Sequence, residues 1–547
     1  MQLLRILSIL LLGGLGFLAC FGRDITILNP REFHWLLHGD WAFAFLAWLD
    51  VIDQPWGWPL GRTNSYLSPF PMTLALADAI PIWSLIMKAV QPSIEGPVQY
   101  FGGWFLLCFI LQASFAYSLC QRIYRTWWER SMITIIITFS PILIYRIAHP
   151  ALCAHWLILA AFKIFIDFDR TSRIKTTGKS ALLLSLATGI HPYFIPMVGL
   201  ILALIPFQWA LSNRRWNLPF LSLHTLSLAL VVFVSLEALG LRSHYRPVRL
   251  GVHFWTADVL SFLQPQGTSR WFPDLWASRF GQYEGYGYLG LGGIMLAFLL
   301  LGARALPPRP RWGNWLRHRS YGFLVLACIL LWVWSWGEQV RIFGRWVLQL
   351  HSLYAPFYDA IGAFRSAGRF LWPIYYLILL SGWRLLGHLR PQWSRPHILV
   401  GIMILQLIDS SKLWRWEGLQ VPAPSLLNAT EWRQRTPTHL TDIALVPPHL
   451  PNTSCVREGW QADDYIPFAF LAFELGMRFN SGNRPNPPEE LSARYCREFM
   501  GRLKLGQWDD HTLYLIDNKL LAQLDVSQLA CESRDQYWAC FKLRTSP

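Results

Sequence analysis

Apolar residues come in runs of about 15–25 positions, separated by short loops rich in Lys and Arg, and this alternation fills the first 410 positions. Runs of that length cross a bilayer as helices. They fall near residues 5–22, 98–120, 131–147, 151–167, 180–191, 193–212, 217–239, 286–303, 320–336, 370–388 and 397–410. The pair at 180–212, broken by His191-Pro192, reads as a hairpin with a shallow tip. Arg173, Lys175 and Lys179 before it and Arg214 and Arg215 after it call for the same side. The basic loops 121–130, 168–179, 211–216, 303–319 and 384–396 then all face the cytoplasm, and the parity closes with about 11 transmembrane helices. That topology places the opening loop 23–97, the loops 240–285 and 337–369, and the chain after about 411 outside.

The pattern changes in the tail. From 411 to 547 charge rises, apolar runs shorten, and residues 441–446, 512–516 and 538–543 read as short strands. The expected architecture is a polytopic α-helical membrane domain over residues 1–410, with a C-terminal soluble α/β domain over 411–547 on the outer face. No heptads, internal repeats or low-complexity tracts interrupt it.

Composition supports the membrane class. Of 547 residues 53% are apolar and only 15% charged, against about 25% charged in soluble domains. A net charge of +15 raises the question of a nucleic-acid partner. The bases sit in short inter-span loops, so the charge reads as positive-inside topology instead. Leu18-Ala19-Cys20 weakly resembles a lipoprotein cleavage box, but one Arg before it and Phe17 within it favour an uncleaved first span. Cys20, Cys108, Cys120, Cys153 and Cys328 lie in or beside apolar runs and read as packing residues. Cys455, Cys496, Cys531 and Cys540 lie in the exported tail, where an even set points to disulfides whose pairing the sequence does not fix.

Candidate chemistry concentrates in the opening loop. Residues 23–96 hold seven acids (Asp24, Glu32, Asp40, Asp50, Asp53, Asp78 and Glu95) against four bases, and include Pro55-Trp56-Gly57-Trp58-Pro59. Asp40 follows Gly39 at the expected start of an interfacial helix, where the dipole favours a carboxylate. There it can serve as a general base on a hydroxyl, or simply cap the helix. On that helix Asp50 and Asp53 point away from it, so no single carboxylate cluster follows, and with Asp24 they read as structural. Asp78 stands in an otherwise apolar stretch, a costly setting that marks a functional acid or a cap for the helix starting at Pro81. His34 and His38, four apart, offer a metal pair without a third ligand, or a packed helix face. Trp56 and Trp58 read as the rigid wall of a sugar or lipid site.

Other polar residues belong to the same outer side. His149 and His155 flank the turn between two spans with Arg146 beside them, and His191 sits at a helix break. Together they point to a polar, substrate-binding cavity. Arg365 and Arg369, four apart, share one face if helical, and two guanidinium forks suit a lipid-linked phosphate. Arg242, Arg246 and Arg249 form a second basic patch that reads as headgroup anchoring. Glu284, in a Gly- and Tyr-rich stretch before a span, is placed to bind sugar hydroxyls or a cation, or to cap the helix.

Gly39-Asp40, residues 55–61, Asp78-Ala79-Ile80-Pro81, residues 155–158, His191-Pro192-Tyr193, residues 281–285 and residues 364–370 resemble, in order, an uncharacterised bacterial family of multi-spanning membrane proteins. That family is similar to the GT-C glycosyltransferase superfamily. The resemblance implies a GT-C-like fold in the bacterial inner membrane with a periplasmic tail. It implies a sugar moved from a polyprenyl-phosphate-linked donor to a glycan, lipid or protein acceptor of the cell envelope. It also implies Asp40 as the loop acid that acts as base, and a divalent cation (Mg or Mn) in some members; Asp78 stays a second catalytic candidate on the strength of its apolar setting. The paired acids that usually accompany such a cation are absent here. A transporter or flippase of a lipid-linked glycan and a non-catalytic envelope scaffold are the rival functions. Midplane ionisable groups and repeats would favour the transporter, and tail-dependent partner binding the scaffold.

Overall fold

The computed structural model describes residues 2–22, 25–70, 72–90, 96–244, 254–302, 321–386, 395–415, 419, 421–450, 453–455, 459–461, 463–482, 489–534 and 537–543. Asp24, Glu95, Arg246 and Arg249 lie outside them. The chain divides into two compact units that do not follow chain order.

The first unit comprises Met1–Leu28, Tyr100–Leu236 and Pro247–Leu419. Every apolar run of the sequence holds a helix in it. Among the described residues five helices are long and apolar enough to cross a membrane: Leu3–Phe21, Phe101–Ile123, Phe194–Asn213, Leu218–Ala238 and Pro396–Leu413. Others, such as Gly290–Leu300 and Gly322–Ser335, are shorter, so the expected count of eleven is matched by helices but not by span length. Local rules fix their ends. Trp127–Thr138 opens on a capping box in which the Glu129 amide donates to Thr126 Oγ1 at 3.4 Å and the Thr126 amide to Glu129 Oε2 at 3.2 Å. Gln2–Phe21 packs against Phe101–Ile123 at Gly13, where a Cβ would stand 2.6 Å from the Ile110 Cα. Small residues let membrane helices approach closely, and here the glycine is required.

The second unit comprises Asn29–Gln99, Glu237–Arg246 and Gln420–Pro547. The sequence puts a boundary near 410; in the structure the tail's unit begins at Gln420 and also takes in most of the opening loop. Its centre is a five-stranded sheet with the spatial order Arg478–Phe479, Asp442–Val446, Thr512–Ile516, Tyr537–Lys542, Leu529–Arg534. The first three strands are parallel and the last two pairings antiparallel. Ile443 to Val446 and Leu513 to Ile516 are buried on both faces, as parallel strands covered on both sides require. One face packs Ala444, Val446, Tyr514 and Ile516 against Phe499 and Leu503 of the Glu489–Lys504 helix. The three strands read from the sequence are all present. The disulfides pair Cys455 with Cys496 and Cys531 with Cys540, and the other five cysteines are buried thiols outside any disulfide.

The opening loop joins this unit through its backbone. The Ser68 amide donates to the Phe479 carbonyl at 2.7 Å and the Phe479 amide to the Ser65 carbonyl at 2.8 Å, so the loop extends the sheet edge. Asp50 holds that loop. Its buried carboxylate accepts from the amides of Asn64 (2.9 Å), Ser65 (3.1 Å) and Tyr66 (3.1 Å). Burial raises its pKa, and the amide donors only partly offset the rise.

Candidate functional site

Three charged side chains meet in the interior of the first unit. Arg146 follows the short Pro141–Ile144 helix, Glu284 lies in the 3-10 turn Gln282–Gly285, and Arg369 lies in the 3-10 turn Ala367–Leu371. Arg369 donates Nε to Glu284 Oε2 at 2.8 Å and Nη2 to Oε1 at 2.7 Å, a two-pronged grip. Arg146 donates Nη1 to Oε2 at 2.7 Å and Nη2 to the Tyr283 and Glu284 carbonyls at 3.0 and 2.8 Å.

Glycine makes this approach possible. A Cβ on Gly368 would stand 2.6 Å from the Gly285 Cα, and one on Gly285 would stand 2.4 Å from the Ala257 Cα. The residues next to Glu284 and Arg369 must therefore be side-chain-free for the two backbones to touch. Aromatic rings close the site: Arg369 lies 4.6 Å from the Tyr193 ring centre, and Arg146 lies 5.6 Å from that of Trp372. Burial works against the Glu284 charge, but Arg369, Arg146 and His149 outweigh it and hold the carboxyl well below the usual carboxylate range. Two guanidiniums on one carboxylate leave one positive charge in excess at a buried position.

Several expectations change here. Arg365 and Arg369 do not share a helix face. The chain leaves helical geometry at Ser366, whose amide is taken by the Tyr193 hydroxyl at 2.8 Å, so the two side chains diverge. Arg365 lies over the Trp255 ring at 4.5 Å. Glu284 caps no membrane helix and has both oxygens occupied by arginine. His155 is fully buried, stacked 4.2 Å from Trp372 with Nδ1 2.8 Å from the Tyr376 hydroxyl, and so packs in the core rather than lining a cavity. His191 and His149 are half-buried at chain turns, and His191 Nδ1 accepts from the Tyr193 amide at 3.2 Å.

The opening-loop candidates belong to the second unit. Asp40 is exposed in the first turn of the helix Gly39–Asp53, and the Gly39 amide donates to Asp463 Oδ2 at 2.8 Å, which fixes the helix start. Asp78 adopts a left-handed conformation (φ 57°) three residues before the helix Pro81–Val90, and its carboxylate oxygens are shielded from solvent. Trp56 and Trp58 are exposed, and the Lys88 ammonium sits 5.3 Å from the Trp56 ring centre while donating to the Val51 and Gln54 carbonyls. His34 and His38 are not on one helix face. A 3-10 turn holds His34, the chain then extends, and His38 precedes the Gly39–Asp53 helix. His34 stacks on Phe33 and His38 packs on Trp41.

Among the described residues no grouping of three or more His, Cys, Asp or Glu side chains could hold a metal ion. Sequence reading missed the linkage of Arg146 to Glu284 and the buried Asp409, which accepts from the Tyr288 hydroxyl at 2.9 Å and the Leu291 amide at 3.0 Å. Asp409 ends an apolar run, and an acid in that place was a signal available in the sequence.

No curated protein matches the sequence. Among solved structures the chain is similar to the archaeal oligosaccharyltransferase AglB from Archaeoglobus fulgidus, determined in complex with an inhibitory peptide and a dolichol-phosphate. The identity is 13% over 94% of this chain and 70% of that chain, with a TM-score of 0.40, too loose a likeness to bear on function. Residues 431–542 match the model described as the DUF6311 C-terminal domain. The chain belongs to the family described as a domain of unknown function (DUF6311), whose model matches residues 10–411.

Proposed function

We propose that this protein is a GT-C-type glycosyltransferase of the bacterial inner membrane that moves a sugar from a polyprenyl-phosphate-linked donor to a cell-envelope acceptor. The observation that carries the reading is the buried Arg146–Glu284–Arg369 cluster, with its surplus positive charge, in a chain of membrane-spanning helices. A charge of that sign suits the phosphate of a lipid-linked donor, and Arg365, four residues before Arg369 in the chain, is a second cation of the reading. The acceptor hydroxyl attacks the anomeric carbon, the bond from that carbon to the lipid phosphate oxygen breaks, and the lipid phosphate leaves with the electron pair. Asp40 takes the hydroxyl proton, and the configuration inverts. Asp78 is the second acid of the reading, and His149, His191, Trp56 and Trp58 contribute to substrate binding.

The test is transfer in membrane vesicles supplied with defined polyprenyl-phosphate sugars. Asp40→Asn should lose transfer by about 10²-fold or more with normal abundance and insertion, the scale of a lost general base. Undiminished transfer in that variant removes Asp40 from the mechanism. Arg365→Gln should weaken use of the lipid donor more than of the acceptor.

A further inference from the structure

In the first unit two strands, Gln339–Ile342 and Arg345–Gln349, form an antiparallel hairpin three residues beyond the apolar helix Gly322–Ser335. All five residues of Arg345–Gln349 are exposed. A strand with one buried face would alternate. Here Trp346, Val347 and Leu348, with Phe343 at the tip, are each 52–54% exposed. The tip itself is unusual. Phe343 (φ 51°) and Gly344 (φ 72°) both take positive φ, a turn that normally carries Asn or Asp before Gly. A bulky apolar residue is held there at a conformational cost, and the Gly344 amide is tied to Asp258 Oδ2 at 2.8 Å.

An isolated hairpin with an apolar exposed strand is poorly stable in water. Cations surround this one: Arg279 and Arg341 lie 5.0 and 5.8 Å from the Trp346 ring centre, and Arg345 starts the strand. The helix that leads into it exposes Leu326, Ile329, Leu330 and Val333, an i, i+3, i+4, i+7 stripe, and ends in Trp332, Trp334 and Trp336. Tryptophans at the end of an apolar helix mark the level of the membrane–water boundary.

We propose that the outward strand Arg345–Gln349 and the Phe343 tip lie in the bilayer interface, with Trp346, Val347 and Leu348 in the upper acyl region and the exposed Arg279 and Arg345 on anionic phospholipid headgroups. The hairpin is then a lipid-binding element of the 337–369 segment that includes Arg365, and the proposal stands whether or not the protein transfers sugars.

A bimane label on Leu348→Cys tests it in the full-length protein in nanodiscs of phosphatidylcholine and phosphatidylglycerol. The five native cysteines outside the disulfides are buried, so labelling is selective. Lipids with a nitroxide at the headgroup or the 5-position should quench the label several-fold more than aqueous iodide does, and more strongly with phosphatidylglycerol present. The same label on Leu505→Cys, exposed in the second unit, should show the reverse preference. Iodide quenching at Leu348 equal to that at Leu505 overturns the proposal. So does quenching by neither reagent, which would mean that protein covers the strand.

Discussion

Glu284, in the unit of membrane helices, and Asp50, in the unit that contains the tail, are both less than a tenth exposed. Glu284 is met by two guanidiniums from positions 138 residues before it and 85 after it. Asp50 is met by three backbone amides only 14 to 16 residues away. The first arrangement ties distant segments together by charge, and the second staples one loop. Their ionisation follows: arginine drives the Glu284 pKa down, whereas burial drives that of Asp50 up despite its amide donors. An ion cluster with a charge to spare suits recognition of an anion; a carboxylate saturated by amides does not.

The largest effect should come from breaking the cluster. Glu284→Gln leaves two buried guanidiniums facing each other, and should destabilise the first unit by about 3–5 kcal/mol. Thermal unfolding in detergent measures it, and a loss under about 1 kcal/mol would show that the carboxylate is not the centre of the cluster. Asp50→Asn should cost less, about 1–3 kcal/mol, because one acceptor oxygen becomes a donor facing amides. Its signature is local: protease cleavage at residues 64–68 should rise while the helices of the first unit stay protected. Unchanged cleavage would separate the staple from the sheet edge.

The smallest effect is on pH dependence, and it separates the units by sign. Glu284 has a depressed folded pKa, so its contribution is fully present above its unfolded value near 4.5 and is lost only as pH falls below that. In the second unit burial pushes the His449 imidazole down, against the pull of Asp464 and Asp463. The unfolded chain then takes up a proton near pH 6.5 that the folded unit resists, so stability falls as pH drops through that value. Asp50 acts in the opposite direction, because its raised folded pKa means the native state binds the proton first. Taking the pH from 7.5 to 5.5 should therefore remove the His449 contribution from the second unit, with Asp50 opposing that loss, and leave the Glu284 cluster unmoved. His449→Gln should flatten the slope, and an equal slope in that variant would assign it to another group.

Much of the fold was legible because its physics is local. A helix that crosses lipid needs an unbroken apolar run, and all eleven runs hold helices. The strands at 442–446, 512–516 and 537–542 carry apolar, β-branched and aromatic residues in short stretches, and they appear within one residue of the reading. The helix start at Gly39-Asp40 was legible for the same reason. The site was less so. The four-residue spacing of Arg365 and Arg369 implied a shared face only while the backbone was taken as helical, and the Tyr193 hydroxyl, 173 residues away, holds Ser366 out of that geometry. The opening loop's acids looked like one feature, but Asp50 is a staple, Asp40 an exposed helix-start residue and Asp78 a shielded acid in a left-handed turn.

By itself the sequence determined where this chain is apolar enough for lipid, where its tail turns to strands, and which residues are costly where they stand. Those follow from composition over windows of ten to twenty-five residues. Only the tertiary structure decided that Glu284 binds Arg146 and Arg369, that Cys455 pairs with Cys496, and that the opening loop extends the tail's sheet. Each of these depends on which distant segments touch, and backbone contact at residues such as Gly285 and Gly368 is set by packing that no local pattern encodes.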